Sequence, residues 1–236
     1  MTWRLRTSFS LLLAGTLAAG ATVSGRIVLQ DSQERRVRNK GDYSGVIISL
    51  EPADGRTLEI KPVRAAMVQK DKTFTPHVLA IPVGSAVEFP NYDPIFHNAF
   101  SNFAGQIFDV GLYPPGTSRT VSFRRPGIVR VFCNIHPSMS AVIAVLATSW
   151  FDVSRTDGSF EIENVPPGEY TMKFFHERAT DEVLGALQRR ITVSRDVGLP
   201  PVAISELGHL ALPHKNKYGQ DYPPSLDDPL SYPGAR

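Results

Sequence analysis

In VFCNIHPSM, Cys133, His136 and Met139 stand three residues apart, so one tight loop at the end of a β-run can offer a thiolate, an imidazole and a thioether. A second imidazole must come from elsewhere, and His97 in EFPNYDPIFHNAF is the natural source. Soft sulfur donors combined with imidazole suit copper, and two His with one Cys in a plane plus a weak axial Met is the arrangement used for electron transfer. Such a site must change little between oxidation states, which requires hydrogen bonds that tie its two ligand-bearing segments together. Asn98, directly after His97, can donate and accept in such a tie, and its backbone N–H can approach the Cys133 sulfur. Pro137 removes a donor and fixes φ, stiffening the loop.

Other uses of these residues compete. A lone Cys in a β-core is often only a small buried hydrophobe, and a lone Met is often core. Here the spaced His and Met and the upstream His-Asn pair favour a metal, with zinc or a degenerate site as alternatives to copper. A catalytic Cys133–His136 thiol is the rival chemistry, but two intervening residues in a tight loop give poor geometry and no orienting third group is evident. The single Cys excludes an intramolecular disulfide and any four-thiolate cluster. Among the remaining histidines, His77 reads as a strand residue with a satisfied ring and His176, beside Glu177, as a strand end that pairs with Arg178 or a turn. His209 and His214 fall in the tail without an assignable role.

The elements that must hold this chemistry read as strands. Short apolar or alternating runs, among them Val46 to Leu50, His77 to Val83, Ala86 to Phe89, Arg119 to Phe123 and Ile128 to Phe132, are punctuated by Gly, Pro, Asn and Asp. Only Asp181 to Arg190 looks helical, and Gly185 weakens it. The basic run Arg35, Arg36, Arg38 and Lys40 reads as a solvated loop, and Phe96, Phe100, Phe103 and Phe108 as barrel core. Arg4 and Arg6 before an apolar run from Phe9 to Leu17, closed by Ala19, Gly20 and Ala21, read as a signal peptide over 1–21, which makes the mature chain soluble and exported. Those two arginines carry the whole formal +2, and residues 22–236 are neutral. Residues 61–147 are net +4 and 148–236 net −4, with no concentrated basic face, so a nucleic-acid partner is excluded.

The segment from about Phe74 to Leu146 resembles a cupredoxin of the plastocyanin and amicyanin kind, with FPNYDPIFHN holding the first His and its Asn and CNIHPSM holding Cys, His and Met. The two-residue spacings match the short amicyanin-type loop, and the flanks resemble periplasmic methylamine-utilization-type cupredoxins. The resemblance implies a type 1 mononuclear copper site with His97, Cys133 and His136 as strong ligands and Met139 as axial ligand. A second resemblance covers Phe151 to Ile204, where TDGSF and VPPGEY are similar to turns of the carboxypeptidase regulatory-like, or transthyretin-like, β-sandwich. SGRIVLQ and YSGVIISLEP look like opening strands of that same sandwich, so Ser24 to Pro52 is expected to complete it, with the copper segment inserted between its strands.

The expected fold is therefore all-β: a cupredoxin Greek-key sandwich or barrel plus a transthyretin-like sandwich. The divisions are 1–21 signal peptide, 22–60 N-terminal strands, 61–147 copper domain, 148–206 second sandwich and 207–236 extended or disordered tail. The implied function is a periplasmic, monomeric one-electron carrier with one copper per chain cycling between Cu(I) and Cu(II). It is not an enzyme, and its redox partner is a protein such as a cytochrome or dehydrogenase. The alternative is a copper-binding or delivery protein using the same ligands, and a third reading is an adhesive module in which copper is incidental.

Overall fold

The computed structural model describes residues 20–102, 105–209 and 213–223. Most of the segment read as a signal peptide, together with Phe103 and 224–236 of the tail, lies outside the described residues. The chain is nearly all β, arranged in several sheets, as expected.

One pair of sheets joins the two ends of the chain. In the first, Ala21–Gln30 pairs antiparallel with Ser159–Val165 and parallel with Val197–Gly198 and Val202–Ser205. In the second, Ile47–Pro52 lies between Phe151–Val153 and Gly168–Phe175, and Arg189–Val193 forms the edge. The core between them takes Val23, Ile27 and Leu29 from the first strand and Ile48 and Leu50 from Ile47–Pro52, facing Phe160, Tyr170 and Met172. Burying side chains of this size contributes about 2–3 kcal/mol each. No strand of 21–52 pairs with a strand of 64–146 among the described residues. The Asp157–Gly158 turn is fixed by contact as well as by conformation. Gly158 has φ +84°, and a Cβ there would sit 2.1 Å from the Ile27 carbonyl oxygen.

The segment between these strands builds two further sheets. Five strands run in the order Val78–Pro82, Ser140–Leu146, Gly127–Phe132, Phe100–Ser101 and Phe108–Asp109. They face Ser118–Ser122, Ala86–Pro90 and Arg64–Ala66, and a small hairpin, Val68–Lys70 with Thr73–Thr75, completes the unit. Strand alternation sets what faces inward: Val129 and Val131 are buried and Arg130 is exposed, so the next odd position, Cys133, also points into the core.

Three local expectations need correction. Arg35–Lys40 is a short helix, not a loop; Val37 is buried on the sandwich core, and Gly41, in the left-handed region at φ 61°, donates its N–H to the Val37 carbonyl. The later helix is Asp181–Leu187, capped by Thr180, and the chain is already a strand at Arg189. Phe96 is 53% exposed rather than core, because its neighbour His97 takes the inward position. Phe100 is buried, and Phe108 packs half-buried against Phe89 and Phe123.

Candidate metal centre

His97 and Cys133 are fully buried and His136 is half-buried at the surface of the same site. Donor atoms of the three residues lie within 4.8 Å of one another. Cys133 Sγ is 3.6 Å from His136 Nδ1 and 3.9 Å from His97 Nδ1. A metal bonded to sulfur at about 2.3 Å and to nitrogen at about 2.0 Å, with roughly trigonal angles, holds those atoms about 3.7 Å apart. The donor set therefore fits a metal ion of the copper or zinc size.

The loop that carries Cys133 and His136 is closed by its own backbone: Met139 N–H donates to the His136 carbonyl and Cys133 N–H to the Met139 carbonyl. Met139 is fully buried in the same core cluster as Cys133. Burial pushes the Cys133 thiol up, opposed by the backbone N–H groups of Ile135, Asn98 and His136, which favour the thiolate. Two of those amides belong to the loop that carries Cys133 and His136, and the third crosses from the His97 segment. Tyr113 stands close enough for the thiolate charge to add to burial in raising its phenol.

Asn98 makes the cross-tie its position suggests. Its Oδ1 accepts from Asn134 N–H at 3.3 Å, and its Nδ2 donates to Asp109 Oδ1 at 2.8 Å and to the Gly111 carbonyl at 3.0 Å. The orientation of His97 depends on a residue that spacing did not single out. Asp93 Oδ2 accepts from His97 Nε2 at 2.6 Å, which places the proton on Nε2 and leaves Nδ1 facing the sulfur. Asp93 also accepts from the amides of Asp71 at 2.7 Å and Lys72 at 2.9 Å. Those two residues form the two-residue turn of the small hairpin, both at φ 54°, without glycine to ease it. Burial acts to raise the Asp93 carboxyl, but the Lys72 amide, His97 and the Asp71 amide outweigh it and hold it below its ordinary value. A carboxylate four residues before the His was the available signal.

The other histidines lie outside the group. His77 Nδ1 is 3.0 Å from the Ser140 carbonyl and Nε2 is 2.9 Å from both Glu177 oxygens, joining the inserted segment to the sandwich. His176 is buried against Glu206 at 2.8 Å, within a network that includes Arg178 and Ser32. His214 stacks on Phe132, with ring centroids 4.1 Å apart.

No family model matches the chain, and no curated protein matches it. Solved structures similar to parts of it include a purple cupredoxin from Nitrosopumilus maritimus, at 23% identity and TM-score 0.32 over 35% of this chain and 99% of that one. A copper-containing nitrite reductase from Thermus scotoductus matches at 25% identity and TM-score 0.34, over 51% of this chain and 28% of that one. Amicyanin from Paracoccus versutus matches at 17% identity and TM-score 0.33, over 42% of this chain and 97% of that one.

Proposed function

We propose that the chain is a type 1 copper protein that carries single electrons, with His97, Cys133 and His136 as strong ligands and Met139 as the weak axial ligand. The observation that carries this reading is the placement of two Nδ1 atoms 3.6 and 3.9 Å from one buried thiol, at the spacing a shared metal requires. When bound, copper supplies a one-electron couple between Cu(I) and Cu(II). The chain's own contribution is constraint. Asp93 fixes the His97 ring, three backbone amides favour the Cys133 thiolate, and Asn98 ties the two ligand segments. A site held in this way resists the rearrangement that would slow electron transfer.

His136 is the ligand nearest solvent, and the exposed apolar side chains Ile135, Ile95, Phe96 and Leu112 adjoin the ligand segments in sequence or through the His97–Tyr113 bridge. This face is the docking surface proposed for an exported redox-protein partner, such as a cytochrome or dehydrogenase. Among the described residues no helix is long and apolar enough to cross a membrane. The sandwich of 21–52 and 151–205, likened above to carboxypeptidase regulatory-like domains, acts in this reading as a scaffold.

The test is to express the exported form with copper, record its visible spectrum and voltammetry, and repeat with Cys133→Ser. An intense thiolate-to-copper band that vanishes in the variant, together with a reversible couple, is expected. Copper-loaded protein without the band would remove the type 1 assignment, and a band without a reversible couple would favour copper delivery.

A further inference from the structure

The C-terminal stretch 213–223 has no helix or strand, yet five contacts anchor it on or beside the ligand loop. Tyr222 Oη donates to the carbonyl of Cys133 at 2.7 Å. His214 Nε2 donates to the carbonyl of Pro137, the residue after His136, at 2.8 Å, and its ring lies on Phe132, the residue before Cys133. Lys217 N–H donates to Asn134 Oδ1 at 3.0 Å, and Lys217 Nζ reaches Asp109 Oδ2 at 2.7 Å.

The last two contacts close a ring. Lys217 holds Asn134 and Asp109, Asn134 N–H is held by Asn98, and Asn98 Nδ2 is held by Asp109. Asn98, the cross-tie between the two segments, is thus locked to the tail through two of its three partners, Asn134 and Asp109. Burial acts to raise the Asp109 carboxyl, but Lys217, the Gly111 amide and Asn98 outweigh it and hold it below its ordinary value. An eleven-residue irregular segment gives up considerable chain entropy to stay ordered, and its polar anchors converge on the 132–137 stretch and its support, Asp109.

We propose that 213–223 is a clasp on the ligand loop, with Tyr222 and His214 acting as positioning residues for Cys133 and His136. The clasp fixes the loop from outside its own strands, so it sets both access to the Cys133 thiol and the geometry of the thiolate. The proposal rests on the type 1 reading only where copper is loaded; the control of thiol access applies to the metal-free protein as well.

Full-length Tyr222→Phe, His214→Leu and the double variant are compared with wild type and with Lys215→Gln. The control removes an exposed tail ion pair to Asp221 that does not touch the loop. In metal-free protein, the rate of Cys133 alkylation by iodoacetamide is expected to rise about fivefold for Tyr222→Phe and tenfold or more for the double variant, and not for Lys215→Gln. In copper-loaded Tyr222→Phe, the thiolate-to-copper band and the reduction potential move while the thermal midpoint stays within the control's range. Unchanged alkylation rates, an equal rise in Lys215→Gln, or an unmoved band would overturn the proposal. If wild type shows no band at all, the copper reading fails and the alkylation arm alone decides the clasp.

Discussion

Asp93→Asn is the sharpest test of how the site is held. Three N–H donors converge on the two Asp93 oxygens: His97 Nε2 at 2.6 Å, the Asp71 amide at 2.7 Å and the Lys72 amide at 2.9 Å. Asparagine keeps the shape but offers one acceptor oxygen, so its NH2 must face at least one of these donors. If it faces a backbone amide, the 71–72 turn loses the partner that offsets two left-handed residues. If it faces His97, the ring can take the other tautomer, which puts a proton on Nδ1, the nitrogen aimed at the sulfur. A buried donor left without its acceptor costs about 1–3 kcal/mol, and the charge-assisted bonds here belong at the upper end. We therefore expect the inserted unit of the metal-free protein to lose about 2–3 kcal/mol, read by denaturant unfolding. Metal affinity, read by competition with a chelator of known affinity, should fall about 10- to 100-fold, the usual cost of losing a carboxylate behind a ligating imidazole. An Asn variant that keeps both stability and affinity would show that the carboxylate neither orients His97 nor supports the turn.

Three further outcomes follow from the sandwich and its junction. Burial acts to raise the Glu177 carboxyl, but His77 and Arg178 bring it down to about 2, so its stabilising effect is complete above about pH 4.5 and lost as the pH falls toward 2. Acid unfolding should show a loss of up to about 3 kcal/mol across that window, and Glu177→Gln should remove that dependence. Gly158→Ala forces a Cβ against the Ile27 carbonyl at a left-handed position and should cost about 2 kcal/mol or more in thermal unfolding; no loss would mean the turn relaxes freely. Glu206→Ala strips Arg178, His176 and Ser32 of a shared buried acceptor, and a loss of about 3–5 kcal/mol is expected, whereas a neutral result would show that water enters the network.

The features that could be read along the chain are those encoded within a few residues. Cys133, His136 and Met139 share one loop, entered from a strand whose alternation turns Cys133 inward, and the buried His97–Asn98 pair closes on it. The likeness of 24–52 to the C-terminal strands was likewise carried by local turn and strand patterns. The helix Arg35–Lys40 was missed because six residues with one apolar side chain show no period, although Gly41 was a usable stop signal. Phe96 lies beside the buried His97 and is itself turned outward, which its aromatic character alone does not record. The grip of Asp93 on the 71–72 turn, the His77–Glu177 contact and the docking of 213–223 on the loop and on Asp109 join residues 21 to 108 positions apart. They depend on how strands stack, which no local pattern records.

These long-range contacts share a target. Asn134, at the start of the ligand loop, is held by Asn98 and by the tail, and Pro137 near its end is held by His214. Ser140, where the loop returns to its strand, is held by His77. Both His77 nitrogens are engaged, Nδ1 with the Ser140 carbonyl and Nε2 with the Glu177 carboxylate. The sandwich thereby holds the far end of the loop through His77, while the tail holds Asn134 and Pro137. An eight-residue loop fastened at Cys133, Asn134, Pro137 and Ser140 by groups outside its own strands has little freedom to rearrange when the charge of a bound metal changes. The sandwich and residues 213–223, which contribute no candidate ligand among the described residues, are part of the site's mechanical constraint.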